Sequence, residues 1–97
     1  MHEIRWDVAP DGRPKAWVCE VAERIVLRQC ADIVQNSFGG EARDRVGGSD
    51  LVFWDFMIGN TLITLQFEKG VGIAVFANDS SAPSTDLVRQ IAARLLT

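Results

Sequence analysis

Side chains able to do chemistry are scarce in this chain, and their spacing rules out more than it supports. The single histidine is His2, next to the first methionine where chains tend to fray. That position argues against a histidine general base or a histidine-ligated metal. No cysteine or carboxylate spacing resembles a zinc or calcium loop. Gly39-Gly40 and Gly47-Gly48 lack the Lys-Ser/Thr that completes a phosphate loop, and neither pair sits between a strand and a helix in the required order. They read as turn glycines. The acid pair to weigh is Asp55 with Glu68. In the strand register derived below, Glu68 lies four residues beyond the partner of Asp55, ~13 Å away at about 3.4 Å per residue. Paired-carboxylate glycosidases use roughly 5–9.5 Å, so the pair is not a dyad. The expectation is a protein that is not an enzyme, with no catalytic residue, no cofactor and no metal.

Cys19 and Cys30 are the only cysteines, too few for a disulfide scaffold and compatible with a reducing compartment. If one helix carries both, their 11-residue gap puts them on one face but ~16 Å apart at 1.5 Å per residue, beyond disulfide reach. They read as small buried apolar side chains.

The elements that would position any site are clearest between Gly48 and Asn78. Gly59-Asn60 is a two-residue hairpin loop. It pairs Ile58 with Thr61, Phe56 with Ile63, Trp54 with Leu65 and Val52 with Phe67. Glu68-Lys69-Gly70 fits a three-residue loop ending in a left-handed glycine, which pairs Phe67 with Val71, Leu65 with Ile73 and Ile63 with Val75. Both turns put Val52, Trp54, Phe56, Ile58, Ile63, Leu65, Phe67, Val71, Ile73 and Val75 on one face, the expected core. A one-residue slip would reverse each strand's faces, so agreement between two turns constrains the register.

The opposite face carries Leu51, Phe53, Asp55 and Met57, then Leu62, Thr64, Gln66 and Glu68, then Gly72, Ala74 and Phe76. It is not cleanly polar. Met57, Leu62 and Phe76 should align at the Gly59-Asn60 end, with Leu51 and Phe53 nearer Gln66 and Glu68. Exposed, these residues would form an apolar patch of a few hundred Å², a size that usually marks an interaction site. The alternative is that another element curls across them. Asp55 is either a charge that discourages nonspecific sheet stacking or a selectivity charge awaiting an Arg or Lys on a partner. Gly72 and Ala74 are small enough to let a partner's backbone approach.

Elsewhere, Ile4, Trp6 and Val8 alternate with charged residues as in a half-buried strand. Ala22, Ile25, Val26, Cys30, Ile33 and Val34 follow helical spacing, stopped at Ser37-Phe38-Gly39-Gly40. Trp17 to Val21 reads as the first turns of that helix, with a separate short strand as the alternative. Glu41 to Ser49 reads as a connection. A closing helix carries Leu87, Val88, Ile91, Ala92 and Leu95 on its apolar stripe, Ser81 or Ser84 as N-cap, Asp86 early and Arg94 late. Trp6, Trp17 and Trp54 are each expected in the core. The fold class is therefore α+β: a single domain over 1–97, a two-layer sandwich of an antiparallel three- to four-stranded meander and two helices, in the order β-α-β-β-β-α.

Composition agrees with a folded domain, with 47% hydrophobic and 24% charged residues. A net charge of −3 argues against nucleic acid. The N-terminal residues do not resemble a signal peptide, and no apolar run approaches the ~20 residues of a membrane span, so a cytoplasmic location and no membrane partner are expected. Eight arginines against two lysines are compatible with a GC-rich bacterial source. The functional expectation is a small non-enzymatic interaction protein, a homodimer or one that binds a protein partner through the outer sheet face, using Leu51, Phe53, Asp55, Met57, Leu62, Gln66 and Phe76. In size, charge and layout it is similar to small acidic bacterial proteins that neutralise toxins or chaperone secreted effectors, a likeness that no motif carries. The alternatives are a small-molecule-binding or enzymatic domain, or an accessory subunit of a larger enzyme.

Overall fold

The computed structural model describes residues 4–9, 11–20 and 22–96. His2 and Val21 lie outside the described residues. The fold is α+β, with eight elements in chain order: β1 (Arg5–Val8), β2 (Pro14–Cys19), α1 (Arg24–Phe38), β3 (Glu41–Gly47), β4 (Leu51–Ile58), β5 (Thr61–Glu68), β6 (Gly72–Ala77) and α2 (Ala82–Leu95). The six strands form one open antiparallel sheet in the order β1-β2-β6-β5-β4-β3. Two of them depart from expectation. Pro14–Cys19 is a strand, not the start of a helix. Its Trp-Val-Cys run favours extended backbone, and Pro14 is tolerated as a first strand residue. Glu41–Gly47 is not a connection but the edge strand β3, exposed along its whole length. Its charges and the bulge between Ala42 and Arg45 protect the free edge.

The β4–β5 register is the one expected, with Trp54 opposite Leu65 and Phe56 opposite Ile63. At the turn, Gly59 takes φ 59° while Asn60 stays at negative φ, which places the glycine at the first central position of a II′-type loop. The β5–β6 register differs by two residues: Leu65 faces Val75 and Glu68 faces Gly72. Gly70, at φ 81°, is the third residue of a turn closed by the Val71 amide donating to the Glu68 carbonyl, so the loop starts one residue later than expected. A shift of two preserves the faces. Val71 alone leaves the core face and is exposed in the turn.

Phe56, Ile63, Leu65, Ile73 and Val75 are fully buried and share one core with Leu27 and Val34 of α1 and Val88 and Ile91 of α2. α2 packs over β2 and β6, α1 over β5 and β4, and the helices touch each other. α1 ends at Gly39 in the left-handed conformation. α2 begins at Ser81, whose hydroxyl accepts the Ser84 amide at 3.3 Å; Ser81 in turn bonds Asp79, holding that carboxyl below its ordinary range. Trp54 is partly buried against the core and stacks near Phe56. Trp6 is not a core residue: it lies 42% exposed on the edge strand β1, with Arg89 over its ring.

Candidate functional site

Period-two alternation assigns every second residue of each strand to the face opposite the helices, and the register lines these residues up in rows. Asp7, Lys15, Phe76, Thr64 and Asp55 are successive partners across the sheet. The next row is Arg5, Trp17, Ala74, Gln66, Phe53 and Val46. Leu51, Glu68 and Gly72 follow on one side, and Met57, Leu62 and Glu41 on the other. The seven residues expected to form the surface therefore do share this face.

They are not equally available. Phe53, Met57 and Leu62 are half-buried and Leu51 is exposed. Asp55 is half-buried, and its Oδ1 accepts the Thr64 hydroxyl at 2.7 Å. Gln66 is buried: its Oε1 accepts Lys15 Nζ at 2.7 Å and its Nε2 donates to Glu68 Oε1 at 3.1 Å. Phe76 is only 9% exposed, which corrects the expectation of an exposed aromatic. β2 runs beside β6 and lays Arg13 and Lys15 over the Phe76 ring, each 5.2 Å from its centroid. The two-residue register difference also seats Phe76 beside Thr64, not Leu62, so the apolar corner at the Gly59-Asn60 end is Met57 with Leu62.

The small residues have a different purpose from the one expected of them. A Cβ on Gly72 would lie 1.9 Å from the Cys19 carbonyl oxygen, and Ala74 faces Trp17. Both make room for β2 within the same sheet, not for a partner.

Sequence reasoning missed the cationic side of this face. Lys15, Arg13 and Arg5 rest on aromatic rings, with Arg5 and Lys15 5.4 and 5.7 Å from the centroid of Trp17. Such stacks hold the long side chains down while leaving their charge at the surface. Trp17 is buried, as expected, but on the outer face, and its Nε1 has no hydrogen-bond partner, at a cost of about 1–3 kcal/mol. Charges of both signs therefore lie on this face. Lys15, Arg13 and Arg5 lie on or beside β1 and β2, where Asp7 is the register partner of Lys15 and Asp11 pairs with Arg13 at 2.6 Å, while Asp55, Glu68 and Glu41 lie on β3 to β5.

A concavity of about 350 Å³ opens between α1, the end of α2 and β2, lined by Val18, Cys19, Glu23, Val26, Cys30 and Leu95 among others. The bulge at Trp17–Cys19 turns both Val18 and Cys19 toward it. Cys19 is a strand residue, so the one-helix separation does not apply: both cysteines line this cavity. Burial pushes the Cys30 thiol up to about 11, with the charge of Cys19 adding to the effect. A thiol that stays protonated at neutral pH is a poor nucleophile. Among the described residues no cluster of His, Cys, Asp or Glu could hold a metal ion, and no helix is long and apolar enough to cross a membrane. No protein-family model, curated protein or solved structure matches the chain.

Proposed function

We propose that this chain is a non-enzymatic protein-interaction domain whose docking surface is the helix-free face of its sheet. One observation carries the reading: Phe53 and Met57, half-buried, flank Asp55 on β4, with half-buried Leu62 diagonally across on β5 and exposed Leu51 further along the strand, all on the face opposite the helices. An apolar patch around an oriented charge combines desolvation with selectivity. Thr64 holds one Asp55 oxygen and so fixes the carboxylate before a partner arrives. A cytoplasmic adaptor is the setting this reading favours, since thiols persist there.

The test is site-specific photo-crosslinking of the full chain in cells, with a benzophenone side chain at Phe53 or Leu62 and, as control, at Arg28 on the exposed side of α1. Protein adducts from Phe53 and Leu62 but not from Arg28 support the reading. Absence of adducts from the sheet positions, or equal labelling from all three, would overturn it. A second reading, small-molecule binding, draws on the cavity beside Cys30. It requires that Val26→Arg abolish binding of an apolar fluorescent probe such as anilinonaphthalene sulfonate while the sheet-face variants leave it intact.

A further inference from the structure

The geometry points to a second copy of this chain as the occupant of that face, stacked sheet on sheet about a twofold axis running along the strands between β5 and β6. The inference rests on reading the face as a docking surface and adds the partner's identity.

It follows from the strand order. With β2-β6-β5-β4 as successive neighbours, an axis between β5 and β6 lies one and a half strand spacings from both β2 and β4. A half-turn about it places β2 of one copy over β4 of the other and leaves the height along the strands unchanged. Lys15 and Asp55 sit in the same row, three strands apart, through Phe76 and Thr64. The half-turn therefore sets Lys15 of each copy over Asp55 of the other, making two equivalent contacts between opposite charges. In the adjoining row it sets Trp17 over Phe53 and Ala74 over Gln66.

The chemistry of each group leaves room for this. Lys15 gives one hydrogen bond to Gln66, and an ammonium has three to give. Asp55 accepts from Thr64 through Oδ1, which leaves Oδ2 for a partner. Sheets stack about 10 Å apart and cross at about 30°, which tilts the twofold about 15° from the strand direction. At roughly 7 Å from the axis that crossing offsets Lys15 from Asp55 by about 4 Å, within the sweep of a lysine side chain. Asp55 thereby takes on the selectivity role that its sequence context left open. A face six strands wide and six residues long has a flat footprint on the order of 600 Å², so a pair would bury about 1,200 Å², at the lower end of specific interfaces. The complex is accordingly weak, on the order of micromolar, and reversible.

The experiment is sedimentation equilibrium of the full chain from about 1 to 500 µM, with four proteins compared: wild type, Lys15→Glu, Asp55→Lys, and the double exchange, each checked for native far-UV circular dichroism. Wild type should pass from monomer to dimer over this range. Each single exchange should weaken the dimer at least tenfold by opposing like charges across the stack, and the double exchange should recover most of the loss. Rescue matters, because loss of the Lys15–Gln66 bond alone would not be repaired by Asp55→Lys. A wild-type protein that stays monomeric, or a dimer indifferent to the single exchanges, would overturn the inference. If the chain is monomeric yet Phe53 cross-links to a different protein, the second copy is wrong while the docking face stands. If neither dimer nor adduct forms, both fail.

Discussion

Gly72 sits where β2 passes closest to β6, and Gly72→Ala perturbs the outer face directly. Its backbone has φ +143°, and an added Cβ would lie 1.9 Å from the Cys19 carbonyl oxygen and 3.0 Å from its carbon, both main-chain atoms that no side-chain rotation can move aside. The dihedral costs about 1–3 kcal/mol for a residue with a Cβ. Forcing β2 away from β6 adds an overpacking cost of about 1–3 kcal/mol or more. The sum, about 2–6 kcal/mol, is a large part of the roughly 5–15 kcal/mol that keeps a domain of this size folded. Gly70→Ala separates the two contributions, because Gly70 also has positive φ, +81°, but nothing within 4 Å of the added carbon. It should lose only about 1–2 kcal/mol. Urea unfolding at pH 7, followed by tryptophan fluorescence and circular dichroism, measures both variants. If Gly72→Ala loses no more than Gly70→Ala, β2 does not pass over Gly72, and the rows that place Lys15 beside Phe76 and Trp17 beside Ala74 are wrong.

Four further outcomes are expected. Phe56→Ala, at a fully buried position, should destabilise the fold by about 3–5 kcal/mol in the same assay. Ser81→Ala removes the acceptor for the Ser84 amide and should cost about 1 kcal/mol, read from the urea midpoint. Phe53→Ala should lower stability by only about 1 kcal/mol, since the ring is half-buried, while weakening association; a collapse of the fold would place Phe53 in the core. The Cys30 thiol is raised in the native state to about 11, so it stays neutral while the unfolded chain's thiol ionises. Its contribution is therefore complete below about pH 8.5 and is lost as pH climbs through about 11. Cys30→Ala should flatten that decline in unfolding free energies measured between pH 7 and pH 10.

What was legible in the sequence follows from where the information is local. The Gly59-Asn60 loop and its flanking alternation fix the β4–β5 pairing, and with it the shared face of Phe53, Asp55, Leu62 and Gln66. The next turn admits two three-residue loops containing Gly70, Glu68-Lys69-Gly70 and Lys69-Gly70-Val71, and the observed pairing of Glu68 with Gly72 is the second. Because the resulting difference is two residues, the faces survived while Phe76 moved one row. β3 gave no signal: a strand exposed on both faces has no apolar period to read. β2 was hidden by its bulge, which leaves Trp17, Val18 and Cys19 without clean alternation. The cationic side chains of the site were missed because their partners are remote in sequence. Lys15 reaches Gln66 across 51 positions of sequence, a distance no local pattern spans.

The measurement that bears most directly on the docking face is a dilution series of the uniformly 15N-labelled chain by NMR, from about 1 mM to 20 µM, which reports both association and its location. Stacking through the helix-free face predicts concentration-dependent amide shifts concentrated at Lys15 to Trp17, Phe53 to Asp55, Thr64 to Gln66 and Ala74 to Phe76, with α1 and α2 still. Shifts confined to the helices or the edge strand β3, or a spectrum that does not change with concentration, would contradict it.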